Sequence, residues 1–141
     1  MEAPGGRAAG RITAHGDALT LTVFVAGRLT NPLNGSWGGW FKHARIAKDW
    51  RERTAQAFWV EKHTHGRWVL NPMAAKRVTF TAHVGALWDS DNLPAAVKPL
   101  RDALQWVVIH SDGPKSGHVF CYAQVVDRDR RGVAITVEEL A

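Results

Sequence analysis

Cysteine is almost missing from this chain: 141 residues carry one, Cys121. A single thiol excludes an internal disulfide and a cysteine-rich zinc site. Cys121 lies in an apolar alternating stretch, where it is expected to pack as a small buried hydrophobe. Long apolar runs are missing too, so nothing reads as a bilayer span or a signal peptide. The expectation is a soluble protein of a reducing compartment, the cytoplasm, with no membrane partner. Seven histidines occur, but none shows helical His-x-x-x-His spacing or a cysteine partner. His63-x-His65 alone does not make a zinc site. No glycine-rich phosphate loop is found. Acidic residues are the minority, 13 against 18 Lys and Arg, which gives a net charge of +5 and a pI near 9.9. That excess favours polyanionic partners.

What is present suits one globular domain. The apolar fraction is 45%, and the length can bury a core without staples. Seven tryptophans can pack that core or stack on bases. Residues 1–16 are rich in Gly, Ala and Arg without a period and read as a loose tail, leaving 17–141 as the domain. Leu19 to Val25 alternates with β-branched residues, as a strand does. Asn31-Pro32, Asn34-Gly35 and Gly38-Gly39 mark a loop. From Phe41 to about Lys62 the period turns helical, with Ile46, Ala47, Trp50, Thr54, Ala57 and Phe58 on one stripe. Lys42, Arg45, Lys48, Arg51 and Arg53 lie mostly off it.

Arg77 to Val84 alternates again, with Val78, Phe80, Ala82 and Val84 on one face. Leu93, Ala96, Val97, Leu100, Ala103 and Leu104 then follow helical spacing. Pro94 falls in the first turn, where a missing N–H costs little, whereas Pro99 should kink or break the helix near Ala95. Trp106 to Ile109 is a short apolar run. Residues 117–126 and 132–139 alternate around a charged turn and read as a β-hairpin. The order β-α-β-α-β-β(-β) predicts an α+β fold, a mixed sheet with two main helices packed on one face.

The segment that carries chemistry is Trp88-Asp89-Ser90-Asp91-Asn92-Leu93, between a strand and a helix. Side chains two residues apart on an extended backbone project to one side. Two like charges so placed repel, and a hard divalent cation such as Mg²⁺ relieves the repulsion. Such a cluster in a basic protein suggests metal-assisted chemistry on phosphate. The alternative is capping of the helix by Asp89, Asp91 or Asn92. Asp112 ends the Trp106–Ile109 run and could join the pair as a third carboxylate, or simply serve the turn before Gly113-Pro114.

In these features the chain resembles the RusA-type Holliday-junction resolvases, common in phages and prophages, from about Leu21 onward. The resemblance rests on Asn34 in the early loop, the basic helix after it, and Asp89-x-Asp91-Asn92-Leu93. Further along it rests on Lys98, Asp102-Ala103-Leu104, the apolar run ending at Asp112, and the closing strand Gly132 to Val137. It implies a Mg²⁺-dependent, dimeric endonuclease that cuts four-way DNA junctions in a bacterial or phage-infected cell. By resemblance Asp89, Asp91 and Asp112 hold the metal and Lys98 is the catalytic lysine. The chain departs from the family at two points. Lys98 follows Asp91 by seven residues rather than four, so it lies about 10 Å along the helix instead of about 6 Å. Ser111-Asp112 offers one acid where the family has two.

Hydrolysis would use Mg²⁺ to polarise the phosphate and activate water, with Lys98 stabilising developing charge. Asn34, Lys42, Arg45, Lys48, Arg51 and Arg77 are the candidate DNA contacts, reading phosphates and not bases. Trp37, Trp40 and Phe41 are more simply core or dimer residues than wedges. The two-fold symmetry of a junction calls for a C2 dimer. Two other readings stand beside this one: a catalytically decayed nucleic-acid-binding relative, and an unrelated α+β interaction domain whose acidic motif caps a helix.

Overall fold

The computed structural model describes residues 10–15, 18–30, 39–65, 73–105, 107–113 and 115–140. Among the described residues, five strands and two helices follow one another as β1 (Gly10–His15), β2 (Ala18–Ala26), α1 (Gly39–His65), β3 (Lys76–Val84), α2 (Leu93–Ala103), β4 (Val119–Val126) and β5 (Gly132–Glu139). A single 3-10 turn, Ser90–Asn92, leads into α2. The strands form one mixed sheet in the order β1-β2-β5-β3-β4. All pairs are antiparallel except β3 and β4, which run parallel and use α2 as their crossover. Both helices contact each other, α1 rests on β2 and α2 on β4, so they cover the same face. The α+β class and the two helices on one face are as the sequence pattern predicts.

Alternation along the strands builds the core. The covered face carries three rows across the sheet: Leu21–Val137–Val78–Phe120, Val23–Ile135–Phe80–Tyr122 and Val25–Val133–Ala82–Gln124. The β2, β5 and β3 members of each row are buried. Trp50, Ala57 and Phe58 of α1, and Leu93, Ala96, Val97 and Leu100 of α2, close over them. Burying one such side chain contributes about 1.5–3 kcal/mol. Among the described residues no helix packs on the other face, which is rich in small and hydroxylic residues; Thr22 and Thr136 share a hydrogen bond across it at 3.1 Å. Cys121 lies on this face and is only partly buried, because its parity is opposite to that of Phe120 and Tyr122.

Four expectations are corrected. Gly10–His15 is not a tail but β1, paired residue by residue with β2. Residues 119–139 are not a hairpin, because β3 lies between β4 and β5. The Asp127 N–H donates to Val84 O at 2.8 Å, so the connection steps over the end of β3. Two strand spacings are about 10 Å, which five residues span easily. Of the apolar run, residues 107–109 add no strand: an isolated bridge joins Gln105 and Ile109, and Val108 and Ile109 are buried. Finally, α2 runs unbroken through Pro99.

Gly132 shows how tightly β5 is inserted. A Cβ there would stand 2.5 Å from Val25 O and 2.4 Å from the Phe24 ring. At the end of β2, Gly27 has φ +146°, and its bare Cα lets Trp50 and Arg53 of α1 close in. The Arg53 guanidinium donates to Ala26 O at 3.1 Å and fastens the helix to the strand end.

Candidate functional site

The acidic motif stands where β3 has ended and α2 has not begun. Its backbone is fixed from β4: the Trp88 N–H donates to Gln124 Oε1 and Gln124 Nε2 donates to Trp88 O, both at 2.8 Å. That paired amide contact holds the residue before Asp89. Asp89 is extended (φ −62°, ψ 129°), while Asn92 is already helical (φ −85°, ψ −18°). Neither side chain caps its helix, so the capping alternative lacks its hydrogen bond. Asp89 and Asp91 are exposed, and among the described residues neither carboxylate has a hydrogen-bond or ion-pair partner.

Lys98 shares the polar side of α2 with Asp91, but it leans the other way. Its Nζ donates to both carboxylate oxygens of Asp102, at 3.1 and 3.2 Å. The pair is exposed, and an i,i+4 pair of this kind stabilises by only about 0.3–0.5 kcal/mol. Asp112 is held more firmly. It faces Arg101 Nε at 3.5 Å, and both side chains are about three-quarters buried. Arg101 in turn donates to the Tyr122 hydroxyl at 2.9 Å and lies over the Phe120 ring. This ties Asp112 to the middle of β4, whereas Trp88 is tied to Gln124, nearer the end of that strand. Among the described residues no three His, Cys, Asp or Glu side chains are arranged to hold a metal ion. Asp89 and Asp91 therefore stand as a free pair, without Asp112.

A second feature lies at the same end of the sheet. Ala26, Gly132 and His83 form its last row, so the ends of β2 and β3 are neighbours across β5, about 10 Å apart. Beyond β2 opens a cleft of about 600 Å³ lined by Arg28, Thr30, Lys42, Arg45, Ile46, Asp49, Trp50 and Arg53. Four cations face one carboxylate there, and Arg53 is shared with Asp49 at 3.0 Å. Lys42 and Arg45, two of the candidate phosphate contacts, line this cleft. Lys48 and Arg51 are exposed on α1 but do not line the cleft, and Lys48 reaches Glu52 at 3.8 Å. Arg77 lies on the uncovered face at the far end of β3, paired with Glu138 at 3.0 Å. Asn34 and Trp37 lie outside the described residues. Phe41 is 76% exposed instead of packing in the core.

Sequence reading missed Arg28 and Arg53 as cleft residues and Arg101 as the partner of Asp112. Arg53 could have been found from helical spacing, since it falls with Lys42, Ile46 and Asp49 on one side of α1. Arg28 and Arg101 depend on contacts distant in sequence and left no local signal.

No protein-family model matches the chain, and no curated protein is significantly similar to it. One solved structure to which the chain is weakly similar is described as "putative translation initiation inhibitor" from Salmonella typhimurium. It shares 12% identity at a TM-score of 0.45 and covers 100% of this chain and 95% of its own. At that similarity it bears on neither fold nor function.

Proposed function

We propose that this chain is a DNA endonuclease of the RusA type, acting on four-way junctions or related branched DNA. One observation carries the reading: an unpaired Asp89–Asp91 pair and a four-cation cleft share one end of the sheet. The cleft supplies phosphate contacts from Arg28, Lys42, Arg45 and Arg53, and a strand held there runs on toward the carboxylates.

The two carboxylates suit Mg²⁺, which is commonly bound through one or two of them plus water and substrate phosphate. Asp89 and Asp91 would hold it. Asp112 does not fit while the Arg101 guanidinium faces it. When bound, the metal would polarise the scissile phosphate and lower the pKa of a coordinated water. Arg28 and Lys42 orient the backbone. Lys98, released from its weak exposed pair with Asp102, neutralises charge on the leaving oxygen as its bond to phosphorus breaks. A junction has two matched strands to cut, so the active form in this reading is a homodimer.

A second reading has specific support. Lys98 is turned to Asp102 and Asp112 to Arg101, as in a relative that binds branched nucleic acid without cutting it. A synthetic junction incubated at low salt with and without Mg²⁺ separates the two. The nuclease reading expects paired nicks that require Mg²⁺ and fall by roughly two orders of magnitude in Asp91→Asn. Binding without nicks leaves the second reading, and failure to bind overturns both.

A further inference from the structure

We propose that Arg131, in the connection between β4 and β5, holds the DNA phosphates that pass between the cleft and the Asp89–Asp91 pair. The inference rests on the reading of the cleft as a DNA-backbone site, and it adds the contact that joins the cleft to the carboxylates.

The need for such a contact is geometric. The ends of β2 and β3 stand about 10 Å apart, with β5 between them. A DNA strand carries one charge per about 3.4 Å of axis, so about three phosphates span that distance. The cleft opens beyond β2, and the carboxylates follow β3. What faces the phosphates between them stands at the start of β5, and Arg131 immediately precedes that strand.

Arg131 is built into this place from both sides. Its carbonyl oxygen accepts the Gly27 N–H at 3.1 Å, one residue from Arg28 of the cleft. Its guanidinium lies against Gly85, the first residue after β3: a Cβ there would stand 3.0 Å from Arg131 Cζ and 3.3 Å from its Nε. Nη1 donates to Asp127 O. Among the described residues no carboxylate pairs with this guanidinium. Its planar fork of donors matches the oxygens of a phosphate.

The other charges of the connection do not compete for the role. Asp127 Oδ1 accepts the N–H groups of Asp129 and Arg130, at 3.1 and 3.0 Å, and Oδ2 pairs with His83 Nδ1 at 3.1 Å. His83 has the parity of the sheet face opposite the helices, so this carboxylate is turned away from the cleft. Arg130 stacks on Phe24, on that same far face, 3.6 Å from the ring centre. Arg128 and Asp129 are exposed neighbours of opposite sign. Arg131 is the cation left at the strand ends.

The experiment is a methylphosphonate scan. A synthetic junction is neutralised at one phosphate at a time, and binding to the full chain is read by fluorescence anisotropy at low salt without Mg²⁺. The phosphates under Arg28 are those whose effect vanishes in Arg28→Ala. The sensitive run is expected to continue for about three phosphates beyond them. Arg131→Ala is expected to weaken binding about tenfold and to erase the sensitivity of those further phosphates alone. Gly85→Ala removes no charge but displaces the guanidinium, and is expected to do the same. A run that ends with the phosphates of Arg28, or one that persists in both variants, overturns the proposal. The length of the run in the unmodified chain decides the matter even if neither Arg131→Ala nor Gly85→Ala folds. Cleavage is not read here. A chain that binds without nicking overturns the nuclease reading and leaves this contact standing, whereas a chain that binds no junction overturns both.

Discussion

His118 accepts the Lys76 N–H at Nδ1, 3.2 Å away, and its burial beside His110 and Lys76 has a consequence that can be measured. The folded chain holds His118 below 6.5, its ordinary value, while the unfolded chain does not. As pH falls below about 6.5 the unfolded state takes up a proton first, so stability declines until the folded value is reached and is flat below it. The groups around the ring are His110, the Lys76 ammonium, which burial holds low, and Glu139 near Lys76. Asp127 does not blur this window. The His83 hydrogen bond holds its carboxyl below the ordinary carboxylate range, so its contribution is lost only in stronger acid. In His118→Asn the side-chain oxygen can still accept from Lys76, and urea midpoints between pH 7.5 and 5.5 should lose most of their slope. An unchanged slope would place the titration elsewhere.

At the scale of elements, the sequence was legible where one face is apolar and obscure where pairing alone makes structure. The stripe through Trp50, Thr54, Ala57 and Phe58 foretold α1, and all four are buried. Leu93, Ala96, Val97 and Leu100 foretold α2. Alternation foretold β3 and β5 as strands but not as neighbours, because periodicity reports a buried face and not the strand beside it. Asp112 was the same kind of failure. Its place after an apolar run suggested a meeting with Asp89, but Arg101, fixed by Tyr122 and Phe120, reaches it first. Pro99 gives this scale its prediction. It sits inside an unbroken helix and leaves one carbonyl of α2 without its N–H donor. Pro99→Ala should raise stability by about 1–3 kcal/mol in urea denaturation; a decrease would mean that the ring packs where alanine cannot.

For the whole molecule, the excess of positive charge raises the expectation of an anionic partner, and the structure places four of those cations in one cleft. If all four meet phosphates, the logarithm of the DNA-binding constant should fall with the logarithm of salt at a slope of about −3.5. Arg28→Ala should lessen that slope by about 0.9 and weaken binding alike for all sequences. Arg77→Ala, on the uncovered face, should leave the slope unchanged. Fluorescence anisotropy at several salt concentrations measures both.

The strand order carries one more consequence. β5, the latest of the five along the chain, is the middle one, and it alone joins β1-β2 to β3-β4. During synthesis the earlier segments must wait as two unjoined halves, each with a bare backbone edge, until the ribosome has released residues 132–139. That interval is when nascent chains of this protein are most open to pairing with one another.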